Sequence, residues 1–183
     1  MKILKEKGEA VQRENGNINK HKDLLIMVLP YLAIVAVISI IFAFFIEVSY
    51  IPSESMEPTL MTGDIAIYNR IAYLSSDPQC GDIVTFKKDG ELYCKRIIGV
   101  SGDTIEFDSG YVYVNGEKLD ETYIDENIET NCLRSFTVPE DSYFVLGDNR
   151  EVSYDSRYWD EPYVANDMII ARLMVVFPTH VLS

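Results

Sequence analysis

The sequence predicts a mainly β protein: an antiparallel, sandwich- or barrel-like extracytoplasmic domain anchored by one N-terminal transmembrane helix. Residues 24–46 contain no charged residue, and many short β-rich runs separated by turn sequences follow them. Short strands joined by tight turns are typical of antiparallel sandwiches and barrels. We expect a disordered tail over 1–23, the transmembrane helix over 24–46 and the β-rich domain over 47–183.

The tail is polar and lacks hydrophobic periodicity, which indicates disorder. It holds six of the 16 Lys and Arg residues, and no basic residue follows the apolar segment until Arg70. Basic residues concentrate on the cytoplasmic side of a membrane span. We therefore expect a single pass through the cell membrane, with a cytoplasmic N-terminus and residues 47–183 outside.

The apolar segment is long enough to span a bilayer, because a helix over 24–46 would be about 35 Å long at 1.5 Å per residue. A cleaved secretion signal is the alternative. It would have a shorter apolar region, with small residues three and one positions before the cut. Residues 44–48, Phe-Phe-Ile-Glu-Val, supply none. An uncleaved helix in contact with membrane lipid is therefore the preferred interpretation.

The part beyond the span is strongly acidic, with 25 of the 29 acidic residues and 10 of the 16 basic ones. Nucleic-acid binding requires a basic surface, so we do not expect a nucleic-acid partner. The β-rich runs are 64–68, 82–86, 92–98, 142–146 and 168–177. Residues 111–119 form a predicted hairpin, because Asn115-Gly116 is a strong two-residue turn signal.

Three cysteines, Cys80, Cys94 and Cys132, occur without a Cys-x-x-Cys pair and without a nearby histidine. This pattern predicts neither a zinc site nor another metal or cofactor. A Cys80–Cys132 disulfide and three free thiols both remain open.

Candidate catalytic residues lie just beyond the span, where Pro52 and Pro58 enclose two serines. Ser53 and Ser55 share a face in an extended stretch, so one could attack while the other donates to the developing oxyanion. The Ser55 backbone N–H could assist. A proline-bounded turn with capping hydroxyls is the alternative.

A serine nucleophile needs a base, and the sequence favours Lys95. His21 precedes the apolar segment and His180 is near the C-terminus, so a Ser-His site is not expected. Strand alternation sends Lys95 and Arg96 to opposite faces. A lysine on the apolar face would lose its proton more easily and could act as a general base. In the alternative, Lys95 faces solvent and Arg96 pairs with an acid.

Four blocks resemble bacterial type I signal peptidases, the membrane-bound Ser-Lys enzymes that remove signal peptides from exported proteins. The blocks are 53–60, 81–86, 95–103 and 147–157, in order behind an N-terminal span. The resemblance implies Ser55 as nucleophile, Lys95 as general base, and the Ser53 hydroxyl with the Ser55 N–H as oxyanion hole. It further implies that Ser153 orients the lysine amine, supported by Asp155, Arg157 and Arg150. Taken alone, the last block is better explained as a solvated Gly-Asp-Asn turn.

The resemblance also implies that the substrate binds as an added strand beside 49–53 and 92–94. Pockets for small side chains one and three positions before the cut would give an Ala-x-Ala preference. The implied substrate-binding residues are Tyr50, Ile51, Pro52, Tyr93 and Cys94.

Glu54, Cys94 and Asp160 depart from the family pattern. Cys94 stands where a larger apolar residue is frequent, which predicts a roomier pocket three residues before the cut. Two other functions stay open: a dedicated Ser-Lys processing peptidase for a narrow client set, and a non-catalytic, membrane-tethered peptide-binding β domain.

Overall fold

The structure is a computed structural model that describes residues 2–179, with side chains from residue 22 onward. The chain divides into two units, Met1–Phe44 and Phe45–Ser183. Helix α1 is Lys2–Phe45, and all of it except its last residue belongs to the first unit. The strands of the second are β1 Ile46–Tyr50, β2 Ile65–Asn69, β3 Ile83–Lys88, β4 Glu91–Gly99, β5 Thr104–Asp108, β6 Tyr111–Val114, β7 Glu117–Lys118, β8 Phe136–Thr137, β9 Ser142–Leu146, β10 Tyr163–Ala165 and β11 Ile169–Phe177.

Within α1, the segment Lys22–Phe45 contains an 18-residue window with a mean hydropathy of 2.9 and is long and apolar enough to cross a membrane. The apolar helix near the N-terminus agrees with the predicted fold class. The backbone is also helical from Lys2, where the sequence predicts a disordered tail. Lys, Glu and Arg are good helix formers, and extending an existing helix avoids the cost of nucleation. The division into tail, span and domain stays a prediction.

Two antiparallel sheets make up the second unit and confirm the mainly β class. The larger sheet has the strand order β1-β2-β11-β3-β4-β9-β10, and the smaller has the order β7-β6-β5-β8. Strand β1 is therefore an edge strand. Its five residues pair with β2, from Ile46 opposite Asn69 to Tyr50 opposite Ile65.

The predicted hairpin is present, and β6 pairs with β7 across the Asn115-Gly116 turn. Both turn residues have positive φ, 56° and 81°, as a two-residue hairpin turn of this kind requires. The five other predicted runs correspond to β2, β3, β4, β9 and β11. Sequence alone missed β5, β8 and β10, which are short or carry charged residues, and it left β1 unassigned directly after the apolar segment.

The core has three clusters of buried side chains, two of which position the candidate site. The first lies around the segment after β1 and contains Ile51, Met56, Leu60, Ala66, Tyr68, Ile83 and Ala171. The second packs Phe86, Trp159 and Val145 against Ile97 of β4. The third joins β4 and β9 to the smaller sheet through Ile98, Phe144 and Ile105. Strand β4 is thus covered on both faces.

All three cysteines are free thiols. Of the two alternatives left open by the sequence, the structure therefore has no Cys80–Cys132 disulfide. Desolvation raises the pKa of the Cys94 thiol to about 11, so this group stays protonated at neutral pH.

Candidate active site

The Ser55 hydroxyl and the Lys95 amine lie 2.7 Å apart. Ser55 is in a short 3₁₀ turn, Glu54–Met56, and Lys95 is in β4. Met56 and Ile51 are 2% and 5% exposed, and their burial in the first core cluster fixes both ends of the serine segment. Packing therefore holds the pair together across a sequence separation of 40 residues.

The turn leaves polar groups around Ser55 available. Ser53 precedes the turn in an extended conformation, and its side chain makes no capping hydrogen bond. Its hydroxyl lies 3.4 Å from the Ser55 hydroxyl. The first N–H groups of a helical turn have no intrahelical acceptor, and that of Ser55 is among them. The turn thus has two donors near the Ser55 hydroxyl, the Ser53 hydroxyl and the Ser55 N–H.

Lys95 is only 3% exposed. Desolvation lowers the pKa of its amine, and the charge of Asp155 opposes this effect most strongly. Desolvation has the larger influence, so the neutral amine is favoured relative to an ordinary lysine. A neutral amine beside a serine hydroxyl can accept its proton.

Arg96 corrects the expectation that one of two neighbouring basic residues faces solvent. It is buried, 8% exposed, and pairs with Asp148 through bonds of 2.9 Å and 2.7 Å. It also donates to the Gly81 carbonyl at 2.9 Å, and the Thr59 hydroxyl donates to Asp148 at 2.5 Å. The alternation of side chains along a strand predicts that one face of β4 is exposed to solvent, but core residues cover both faces. This ion pair connects all four sequence blocks.

The last block holds a buried ion pair. Asp155 accepts two hydrogen bonds of 2.9 Å from Arg157 and one of 3.1 Å from the Gly147 N–H. Ser153 is 3% exposed, and its hydroxyl has no hydrogen-bond partner among the described residues. The implied Ser153–Lys95 hydrogen bond is thus not formed here. A Cβ at Gly147 would collide with the Ser153 hydroxyl and the Ser55 carbonyl, so both border one spot.

Arg150 connects this block to the segment between β7 and β8 of the smaller sheet. It is 2% exposed and donates to the Gly147 carbonyl at 3.0 Å, to Thr130 at 2.6 Å and to Glu121. The Tyr123 ring lies 3.8 Å from the Arg96 guanidinium. Sequence reasoning missed Glu121, Tyr123 and Thr130. The segment that contains them has no hydrophobic periodicity and no turn pair that marks it.

A cavity of about 230 Å³ lies beside Ser55 and Lys95. Its lining includes all five predicted substrate-binding residues, Tyr50, Ile51, Pro52, Tyr93 and Cys94. Thr85 and Tyr68 also line it and were missed, and the Tyr68 hydroxyl is 3.4 Å from the Cys94 sulfur. Thr85 pairs with Cys94 across β3 and β4, a register that sequence could have suggested.

Two strand edges flank the cavity. Strand β1 is at the sheet edge, and β9 pairs with β4 at Arg96, Ile97 and Gly99. In the part of the chain that the structure describes, no strand pairs with that edge of residues 91–94. Unpaired strand edges are templates for an added extended peptide.

The described side chains include no group of three His, Cys, Asp or Glu residues that could hold a metal. His180 lies outside the described residues, and for His21 the structure describes the backbone alone.

The sequence matches the family described as "Signal peptidase, peptidase S26" over residues 24–178. It is 43% identical over 144 residues to a probable signal peptidase I-2 of Synechocystis, covering 73% of this chain and 64% of that protein. Signal peptidase I of Leptolyngbya laminosa is 40% identical over 144 residues, with 73% and 70% covered. A crystal structure of a signal peptidase I from Enterococcus faecalis is 34% identical, with a TM-score of 0.46, covering 54% of this chain and 98% of that chain.

Proposed function

Because the chain belongs to the signal peptidase family S26, we propose that it is a membrane-bound serine endopeptidase that removes N-terminal signal peptides from exported preproteins. The observation that carries this proposal is the 2.7 Å contact between the Ser55 hydroxyl and the buried Lys95 amine. A serine becomes nucleophilic when an adjacent base takes its proton. The pair thus has the composition and the spacing of a Ser-Lys dyad.

In the first half of the reaction, neutral Lys95 takes the proton of Ser55 as the serine oxygen attacks the scissile carbonyl carbon. The Ser53 hydroxyl and the Ser55 N–H donate to the oxyanion of the tetrahedral intermediate. Each such donor contributes about 10²–10³ in rate. The protonated Lys95 then gives its proton to the departing amine, which is the new N-terminus of the mature protein.

In the second half, the signal peptide is attached to Ser55 as an ester. Lys95, neutral again, takes a proton from water, and the resulting hydroxide attacks the ester carbonyl. Return of a proton to the Ser55 oxygen releases the signal peptide. Ser153 would orient the amine during these transfers, because its buried hydroxyl has no other partner among the described residues and adds no charge. The Asp155–Arg157 pair and Arg150 would hold the Ser153 segment in place.

Substrate selectivity follows from the cavity and the strand edges. An extended peptide would add to the edges near 49–53 and 92–94, with alternate side chains entering the cavity. Side chains one and three positions before the cut share a face. The cavity has a volume of about 230 Å³, and both of these side chains would share it. This volume favours small residues, which supports a small-x-small preference.

The membrane helix would keep the site near its substrates. Signal peptides emerge in the membrane, and the apolar Lys22–Phe45 segment places the chain there. The basic residues of the tail support a cytoplasmic N-terminus and an extracytoplasmic catalytic domain in the cell membrane. Tyr50, 62% exposed, lines the cavity and would contact the substrate.

The test is cleavage of a purified preprotein by the full chain in detergent, beside Ser55→Ala and Lys95→Met. The exposed Lys87→Met variant serves as a matched control. We expect one cut directly after a small-x-small motif, lost in the first two variants and retained in the control. Cleavage that survives Lys95→Met would remove the base assignment. A correctly folded chain that binds preprotein without cutting it would favour the peptide-binding alternative.

A further inference from the structure

A second, larger groove lies on the other side of β4 from the small cavity. Its volume is about 650 Å³, and its lining includes four aromatic side chains: Tyr93, Tyr154, Trp159 and Tyr163. Cys94 packs with the first core cluster and Tyr93 with the second, so the two openings lie on opposite faces of one strand. Tyr93 lines both of them, which makes the groove and the cavity neighbours.

Lys88 lines this groove and is 7% exposed. Its amine donates to the Tyr163 carbonyl at 3.3 Å and lies 5.4 Å from the centre of the Trp159 ring. An ammonium has three donors, and Lys88 forms no ion pair among the side chains that the structure describes. A buried charge without a counter-charge is costly. An anion bound in the groove next to the Lys88 amine would therefore be stabilised.

The path of a substrate leads toward Lys88. If side chains before the cut occupy the cavity, the chain after the cut would leave past the other side of Ser55. The Ser153 hydroxyl borders the same spot as the Ser55 carbonyl, and the next residue, Tyr154, lines the groove. The residues after the cut would thus pass directly over the aromatic groove.

We propose that this groove binds the first residues of the mature protein, and that the Lys88 amine binds an Asp or Glu side chain at one of the first two positions after the cut. The proposal rests on the proposed function, since it concerns the same substrate at the same site. The aromatic walls would contact the alkyl part of the side chain, and the amine would take the carboxylate in a charge-assisted hydrogen bond.

Acidic residues at the rim oppose this preference less than Lys88 favours it. Asp89, Asp160 and Glu161 line the groove, and all three are exposed to solvent. An exposed charge is weakened by water and salt, whereas a buried charge in direct contact is screened much less. The rim instead favours selectivity for position, because a carboxylate that does not reach Lys88 meets only like charges.

The test uses preproteins with one fixed small-x-small motif and Glu, Gln or Lys at the first or the second position after the cut. The intact chain should cleave the Glu substrate about tenfold better in kcat/KM than the Gln substrate at one of the two positions, the factor expected for a charge-assisted hydrogen bond. The Lys substrate should be the slowest. Most of the difference should be in KM, because the contact forms on binding.

The matched variants are Lys88→Met, which keeps the length and the apolar stem, and Lys87→Met, which removes an exposed lysine one residue away. The preference for Glu should vanish in the first variant and persist in the second. Equal cleavage of Glu and Gln substrates by the intact chain would overturn the proposal, and so would a preference that survives in Lys88→Met. Failure to cleave any of the substrates would instead contradict the proposed function itself.

Discussion

The Lys95 amine lies 2.7 Å from the Ser55 hydroxyl and is shielded from solvent on a strand that is covered by core on both faces. Burial gives this contact its chemical character. In water the amine would be protonated and could only donate to the serine. Here desolvation lowers its pKa, so that the form able to accept the serine proton exists at lower pH.

The pH dependence of cleavage follows from that pKa. The base acts when neutral, so kcat/KM should rise with pH through the pKa of Lys95 in the free enzyme. Because burial lowers this pKa, the rise should be centred below about 10.4, the ordinary lysine value. A pH profile of kcat/KM on one preprotein measures it, with Lys87→Met as control. A rise centred at the ordinary value would contradict a buried base.

Ser153→Ala separates catalysis from stability. The Ser153 hydroxyl is buried and unpaired among the described residues, so its removal leaves no partner unsatisfied and should not lower the unfolding free energy. If it orients Lys95, kcat should fall by up to about 10²-fold, the cost of a small misplacement. Ser156→Ala is the matched control, because its hydroxyl accepts the Val145 N–H at 3.0 Å. That variant should lose stability and keep kcat; unchanged kcat in Ser153→Ala would remove the orienting role.

Sequence reasoning located the chemistry better than its surroundings. The serine pair enclosed by prolines and a lysine within a β-rich run are local signals that predict Ser55 and Lys95 as partners, and the structure places their side chains in contact. Alternation also identified the longer strands. It failed at Arg96, because alternation assumes one solvated face and cannot indicate that a second sheet covers the other.

The contacts of Arg150 were beyond sequence reasoning for a different reason. Its partners Glu121 and Thr130 lie in a segment with little regular structure, where no period relates position to direction. Their approach to Arg150 depends on how the smaller sheet packs against β4 and β9. Only tertiary structure contains that information.

The buried Arg96–Asp148 pair should contribute far more to stability than the exposed Arg172–Asp82 pair. Removing Arg96 leaves a buried carboxylate without its cation, which costs about 3–5 kcal/mol. The Arg172 side chain is 46% exposed and 3.5 Å from Asp82, and such pairs contribute about 1 kcal/mol or less. Denaturant unfolding of Arg96→Met and Arg172→Met measures both differences. Similar losses in the two variants would contradict this assignment.

Gly147→Ala should impair catalysis, and Gly99→Ala should impair stability. A Cβ at Gly147 would meet the Ser55 backbone carbonyl and the Ser153 hydroxyl, so the nucleophile turn must shift. We expect a loss of about 10²-fold or more in kcat. A Cβ at Gly99 would instead lie 2.6 Å from the Ile105 Cδ1, and overpacking costs about 1–3 kcal/mol. Steady-state kinetics together with thermal unfolding separates the two effects. Full activity of Gly147→Ala would contradict the prediction, because it would mean that the turn around Ser55 can shift without loss of catalysis.

Cys94→Ile should narrow the pocket that receives the residue three positions before the cut. Cys94 lines the cavity beside Ser55, and its sulfur lies 3.4 Å from the Tyr68 hydroxyl, so a larger side chain has no room to turn away. Two preproteins with Ala or Leu at that position, competing in one reaction, give the selectivity. The preference for Ala should rise about tenfold, since a difference of one or two methylenes in a pocket changes rates by 10–200-fold.

This ratio is insensitive to partial loss of folded protein in Cys94→Ile, because both substrates compete for the same active molecules. Cys80→Ala, at an exposed thiol outside the cavity, is the control and should leave the ratio unchanged. An unchanged ratio in Cys94→Ile would mean that the residue three positions before the cut does not contact Cys94. The substrate strand would then lie in a different register along the edges of 49–53 and 92–94.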